Sequence, residues 1–535
     1  MKRDVDYSLY LVTDSTPAIL GNRDICDVVE AAVKGGVSCV QYRDKTSETA
    51  VLVDVARRLQ KITQRHNVPL LINDRIDVAL AIGCEGVHIG QDDMDLSIAR
   101  RLLGPDAVIG VTVSNVDEAL KACAGGADYL GIGTVYATPT KTNTKSIIGT
   151  AGVREVLGAV ATAGYDKVRT VCIGGVNGSN LQRIVFQSAS VSRPLDGVAV
   201  VSALMAAQDP EAEARRLLGL VKKSSAFRLI APENRVADPD TIITQVPPVL
   251  QAVHTKTPLS HNMTNLVVQN FAANVALAVG ASPIMANYGE EARDLAKLGG
   301  ALVINMGTVT PEGLENYVKA LKAYNEAGRP VVFDPVGAGA TSVRRAAVRT
   351  ILANGYLDVI KGNEGEIRTV FGEDKGVQQR GVDSSSTLTT AQKAELVRQL
   401  AAREKNIVLM TGATDFVSDG VRTLRINNGH EYLGSITGTG CVLGTTVSAM
   451  LAAVVNVEPP SSSTGGAAPS IPDRLVAVVA GLLHFEIASE LAAGRADVQG
   501  PGTFVPAFID ELARIRKATD QGDLGWLQRA KISLV

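Results

Sequence analysis

Three short stretches carry most of the side chains capable of polar chemistry in the first half of this 535-residue chain. Gln41, Arg43 and Lys45 alternate, so an extended backbone puts one carboxamide and two cations on the same side, a clamp for an anion. Asn73-Asp74 ends a second stretch, and Asp92-Asp93 ends a third after His88-Ile89-Gly90-Gln91. Carboxylates from neighbouring strand ends can share one hard cation. Mg2+ bound with a phosphate ester uses one or two protein carboxylates plus phosphate oxygens. Thr112 adds a hydroxyl, and Thr138, Thr140 and Lys141 add two more beside a cation. Gly174-Gly175 and Val201-Ser202 offer bare backbone N–H groups, the latter at the start of a helical stretch, where an anion is favoured. The set implies two anion sites, one metal-assisted and one a backbone cup, with Lys141 between them. Singly, each residue has a plainer reading: a solvated charge, a helix cap at Asp74, or a tight turn at the glycine pair. Their joint occurrence at successive strand ends is what argues for function.

In the second half, Thr437-Gly438-Thr439-Gly440-Cys441 leads into an apolar helical stretch, again an anion-binding turn. Upstream, Asp334 closes an apolar run, and Lys361-Gly-Asn363-Glu-Gly-Glu366 supplies one cation, one amide and two carboxylates. Asp334, Asn363 and Glu366 are suited to organising Mg-ATP. No GK[ST] follows the glycines, so this is not a Walker A loop. A lone Cys in an apolar context is usually a small buried hydrophobe. At a helix N-terminus its pKa falls, which fits Cys441 as an assisting base for a substrate hydroxyl. His261 and Asn265 precede a helix and can reach a substrate, although His261 reads equally well as structural.

The elements that must position these groups alternate. Eight β-rich runs, from Ser8–Val12 to Gly197–Val201, are separated by helical stretches within about 220 residues. This predicts parallel strands joined by right-handed crossovers. A (β/α)8 TIM barrel fits that count, with a doubly wound sheet as the alternative. Polar residues after every run favour the barrel. Residues 1–225 are assigned to it and 226–247, which carries PEN, ADPD and little periodicity, to a linker. Residues 248–535 form a second α/β domain, with runs at Ala301–Met306, Pro330–Phe333, Val359–Lys361 and Ile407–Thr411. Stretches 376–390 and 457–472 read as surface loops.

The bulk properties narrow the function. Single cores rarely exceed about 300 residues, so two domains are expected. Fifty-three basic against 55 acidic residues leave a net charge of −2. That balance gives no footprint for nucleic acid or an acidic membrane. Six scattered cysteines with no CxxC pair fit a reduced, cytoplasmic protein. The N-terminus lacks an apolar targeting segment, and neither 441–455 nor 475–493 reads as a membrane span.

The motifs QxRxK, NDRxDxA, GVHIGQDD, GADYLGIGTVYATPTK, IGGV and GVAVVSA closely resemble thiamine-phosphate synthase over residues 5–220. That resemblance implies condensation of hydroxymethylpyrimidine pyrophosphate with hydroxyethylthiazole phosphate, yielding thiamine phosphate and pyrophosphate. It implies Asp74 and Asp93 as Mg2+ ligands, and Gln41, Arg43, Lys45, Asn73, Thr112 and Lys141 around the pyrimidine pyrophosphate. Arg43 and Lys141 are expected to aid catalysis by neutralising the leaving charge. Thr138, Thr140, Gly175, Val201 and Ser202 fall at the thiazole phosphate. The family commonly has Ser where Thr112 stands, so Ser114 is the alternative there. The segments HNMTNLVVQNFAAN, GASPIMA, DPVGAGAT, KGNEGEI, VLMTGATD and ITGTGC resemble the ribokinase-like superfamily, most closely hydroxyethylthiazole kinase. This implies Met285 and Gly438 at the thiazole alcohol, with Lys361, Thr411, Asp334, Asn363 and Glu366 at ATP. Cys441 stands where most of the superfamily has an Asp base. The resemblance also implies a homo-oligomer, trimeric or hexameric. Rival readings are a thiazole-tautomerase-like isomerase, a ligand-binding sensor, or a fusion in which one half is inactive.

Overall fold

The computed structural model describes residues 4–136, 138, 147–222, 238–373, 388–455 and 473–535. The chain divides into two compact units, Met1–Arg228 and Leu229–Val535.

The first unit is a closed barrel of eight parallel strands: β1 (Leu9–Val12), β2 (Cys39–Tyr42), β3 (Leu70–Asn73), β4 (Gly86–Ile89), β5 (Val108–Val113), β6 (Tyr129–Gly133), β7 (Arg169–Ile173) and β8 (Gly197–Val200). Pairing of β8 with β1 closes it and removes the doubly wound alternative. The strands are short and almost wholly apolar because both their faces are covered. Their outward side chains pack under amphipathic helices such as Ile25–Lys34. That helix buries Ile25, Val28, Val29, Ala32 and Val33. Its first turn is capped by Asp24, which accepts from the Cys26 N–H, a contact worth about 1 kcal/mol. Inside the barrel lie Tyr10, Cys39, Leu71, Val108, Tyr129 and Val171. Two strand glycines clear space there. A Cβ on Gly110 would lie 2.0 Å from Tyr129 Cζ, and one on Gly131 would lie 2.9 Å from His88 Cε1.

The second unit is a nine-stranded sheet in the order β10-β9-β11-β12-β13-β14-β15-β16-β17. Its strands are β9 (Leu259–Met263), β10 (Ser282–Ile284), β11 (Ala301–Asn305), β12 (Val331–Asp334), β13 (Val359–Asn363), β14 (Ile407–Thr411), β15 (Asp415–Ser418), β16 (Thr423–Ile426) and β17 (Ile532–Leu534). Strands β9 to β14 pair in parallel and the last three are antiparallel. Separate apolar cores cover the two faces. Helix Arg474–Ala493 is long and apolar enough to cross a membrane, but it is buried within the fold against helices Thr439–Val455 and Pro501–Asp520.

One boundary differs from the sequence reading. Residues 238–247, read as linker, begin two helices, Pro239–Thr244 and Val246–Lys256. The Asp238 side chain caps the first. Proline in a helix's first turn sacrifices an N–H that has no partner anyway, so ADPD and VPP were start signals rather than breakers. Residues 223–237 lie outside the described residues, as do most of the expected surface loops. The exceptions are Leu388, Thr389 and Thr390, which open helix Thr390–Glu404 behind a Thr389 capping box.

Candidate active sites

In the barrel, β2 ends at Tyr42 and its three expected anion ligands diverge. Gln41 is buried and its Nε2 donates to Tyr10 Oη at 2.7 Å. Arg43 Nη1 lies 3.3 Å from Asp14 Oδ2, and its backbone N–H donates to Thr13 Oγ1 at 2.9 Å. Lys45 crosses to the neighbouring strand end and pairs with Asp74. The two cations are therefore held by carboxylates at the mouth, and Lys45 and Asp74 arrive together as expected. Asp74 is no helix cap. It has φ 59°, a left-handed conformation that Asp tolerates better than most residues, and its N–H donates to His88 O at 2.9 Å. The following helix, Ile76–Ile82, starts after Arg75.

Asp74 and Asp93 hydrogen-bond to each other. Burial, then the Asp93 hydrogen bond, raises the Asp74 pKa. Asp93 is lowered because, despite burial, it accepts from Asp74 and from the Gly90 N–H at 2.7 Å. The pair thus sets two carboxylates side by side next to the Lys45 ammonium. Such oxygens fit a hard divalent cation. No cluster of three His, Cys, Asp or Glu residues suited to a metal occurs among the described residues. Two carboxylates are what a cation completed by substrate oxygens and water would need.

Asn73 ends β3, paired with His88 of β4. Thr112, on β5, is half-buried, and its hydroxyl lies 2.8 Å from His88 Nε2. Ser114 instead bonds Glu118 at 3.0 Å, away from that group. After β7, Gly174 and Gly175 have φ 106° and 69°, and a Cβ on Gly174 would lie 2.4 Å from Thr134 Cγ2. Only glycine allows this backbone to approach so closely. Asn180 Nδ2 donates to Gly175 O at 2.8 Å and fixes the turn. Val201 and Ser202 open the short helix Ser202–Met205. Thr138 is half-buried, while Thr140 and Lys141 lie outside the described residues.

In the second unit, parallel register gathers the expected residues at one sheet end. Asn305 of β11 pairs with Asp334 of β12, and Asn363 of β13 with Thr411 of β14. Asp334 is fully buried. Its Oδ2 receives Asn305 Nδ2 at 2.9 Å and Lys361 Nζ at 3.2 Å, while its Oδ1 has no partner. Against its burial, the Asp334 charge keeps the Lys361 pKa above its usual range, so the two form an ion pair. Glu366 closes a capping box on Asn363 and also accepts from Gly337 N at 2.8 Å; burial raises its pKa to about 7. Gly438, φ 94°, precedes helix Thr439–Val455, and Gly440 faces Lys361 Nζ. Met285 is half-buried beside the second core.

Cys441 departs from the expectation. Burial, then the nearby Asp334 charge, pushes its thiol up to about 11 rather than down. The low dielectric outweighs the helix terminus, so the resting group is a protonated thiol. Asn265 Nδ2 sits 3.8 Å from its Sγ and 3.1 Å from Asn305 Oδ1. His261 is wholly buried between Tyr324 Oη and Ala286 O, which supports its structural reading.

Sequence reasoning missed Asn305 and Arg344. Arg344 donates to Met306 O, Gly307 O and Val336 O at 2.7–2.9 Å and so ties together the loops after β11 and β12. Asn305 ends an apolar run, as Asp334 does, and that was the available signal.

Comparison with known proteins matches residues 9–204 to the thiamine monophosphate synthase family and residues 250–518 to the hydroxyethylthiazole kinase family. The chain is 42% identical, over 99% of both chains, to a protein of Schizosaccharomyces pombe described as a probable thiamine biosynthetic bifunctional enzyme. It is 38% identical, over 96% of both chains, to the thiamine biosynthetic bifunctional enzyme of Saccharomyces cerevisiae. The two family matches fall on the barrel and on the sheet unit in turn, the identity runs over nearly the whole length of both relatives, and the chain belongs to the family of thiamine biosynthetic bifunctional enzymes.

Proposed function

We propose that the barrel condenses hydroxymethylpyrimidine pyrophosphate with hydroxyethylthiazole phosphate, and that the second unit makes the latter from hydroxyethylthiazole and ATP. In the barrel, Asp74 and Asp93 would hold Mg2+, which when bound neutralises developing charge on the leaving pyrophosphate. Arg43, Lys45 and Lys141 add fixed positive charge there; Gln41, Asn73 and Thr112 orient the pyrimidine. The C–O bond to pyrophosphate breaks first, leaving a pyrimidine-stabilised cation. The thiazole nitrogen lone pair then forms the new N–C bond. Thr138, Thr140, Gly175, Val201 and Ser202 hold the thiazole phosphate. No protein nucleophile is required.

In the kinase half, Met285 and Gly438 border the thiazole alcohol, with Lys361, Thr411, Asn363 and Glu366 around ATP. The unpartnered Asp334 Oδ1 suits a Mg2+ that accompanies ATP. Phosphoryl transfer runs through a loose transition state in which positioning and charge stabilisation dominate. With its thiol pushed up to about 11, Cys441 contributes by position at the anion turn more than as a resting base. Leu266 and Val267, 78% and 73% exposed beside Asn265, favour contact between copies in a trimer or hexamer. Six cysteines with no disulfide among them fit a cytoplasmic setting.

The Asp74–Asp93 pair with Lys45 is the observation that carries this reading, because two adjoining carboxylates beside a cation are what a metal-pyrophosphate site needs. Asp74→Ala should abolish thiamine phosphate formation while ATP-dependent phosphorylation of the thiazole continues at the wild-type rate. Unchanged synthase turnover in that variant would overturn the metal assignment.

A further inference from the structure

A polar chain crosses the otherwise apolar interior of the barrel. Gln41 Nε2 donates to Tyr10 Oη at 2.7 Å. Tyr10 Oη lies 2.7 Å from Tyr129 Oη, which lies 2.8 Å from His88 Nδ1. His88 Nε2 lies 2.8 Å from Thr112 Oγ1. The chain runs from β2 through β1, β6 and β4 to β5, linking opposite walls. Gly110 and Gly131 leave the room that Tyr129 and His88 occupy. Buried polar groups are costly unless every member is satisfied. Phenylalanine would fill the same volume without that demand, so the two phenols call for an explanation other than packing.

Counting protons gives the chain a direction. Each phenol owns one proton, and burial keeps both phenols protonated. Because Tyr10 accepts from the Gln41 amide, its own proton goes to Tyr129, and the Tyr129 proton then goes to His88 Nδ1. His88 must therefore carry its proton on Nε2 and donate it to Thr112. The Thr112 hydroxyl, having accepted, is left to donate outward. We propose that Tyr10 and Tyr129 are positioning residues of the synthase half: they fix the Nε2–H tautomer of His88 and turn the Thr112 hydroxyl proton toward the bound pyrimidine pyrophosphate. This rests on the placement of that substrate at Thr112.

The test is nitrogen-15 NMR of the full chain labelled at its six histidines, with His88 identified as the signal pair absent from His88→Gln. The wild type should show His88 neutral and protonated on Nε2. Tyr129→Phe, which keeps the ring and removes the hydroxyl, should give a mixture of tautomers. Its synthase kcat should fall about tenfold, less than loss of a direct transition-state donor costs, while kinase kcat stays unchanged. Tyr10→Phe should do the same from one link further away. A His88 protonated on Nδ1 or on both nitrogens in the wild type overturns the proposal. Wild-type synthase kcat in Tyr129→Phe beside a slow Thr112→Ala overturns the chain's role alone. Wild-type kcat in Thr112→Ala overturns the substrate placement, and the proposal with it.

Discussion

Replacing Lys361 with Met isolates the charge balance on which the kinase site depends. The Lys361 side chain is 4% exposed and that of Asp334 0%, with Nζ 3.2 Å from Oδ2. Methionine preserves the length of the chain and removes the charge. Asp334 would then keep only Asn305, with its Oδ1 already unpartnered. Stranding one charge of a buried pair costs about 3–5 kcal/mol. The loss should shrink as pH falls. An uncompensated buried carboxyl has its folded-state pKa raised, so the folded form binds the proton more tightly, and lowering pH through that pKa restores stability. Adding Asp334→Asn should recover most of the deficit at neutral pH, because neither charge is then buried alone. The assay is built into the chain. Trp526 is its one tryptophan, buried in the second unit, so tryptophan fluorescence during urea unfolding follows that unit alone. A deficit below about 1 kcal/mol for Lys361→Met, or no recovery in the double variant, would refute the ion-pair reasoning.

Two further outcomes bear on the kinase half. Cys441→Ala should lower kinase kcat about tenfold with little change in KM, short of the 100-fold or more that removing a full general base costs; steady-state kinetics that show wild-type kcat would contradict this. Gly438→Ala forces a Cβ to within 2.3 Å of Val268 Cγ1 at φ 94°, so kinase kcat/KM should fall by more than about tenfold while synthase turnover holds, measured on the same preparation.

Much of the barrel was legible because its strands are near-continuous apolar runs ended by polar residues, and strand ends are where this fold places chemistry. Lys45 and Asp74 could be foreseen as neighbours on that basis. The divergence of Gln41 could not, because alternation describes a strand and β2 stops at Tyr42, before Arg43 and Lys45. In the second unit, β9, β10, β15, β16 and β17 escaped notice. They are three to five residues long, and β17 pairs with β16 across about 100 residues of chain. The thiol of Cys441 was misjudged for a related reason: a helix start can be read from sequence, whereas the buried carboxylate of Asp334 beside it comes from another strand. The Gln41–Thr112 chain was invisible for the same cause, since its five members come from five strands.

The most direct test of the two-step account is a single incubation of the purified full chain with hydroxyethylthiazole, ATP-Mg2+ and hydroxymethylpyrimidine pyrophosphate, with products resolved by chromatography. The account predicts thiamine phosphate, with ADP and pyrophosphate formed in equal amounts to it. Accumulation of thiazole phosphate without thiamine phosphate would contradict it.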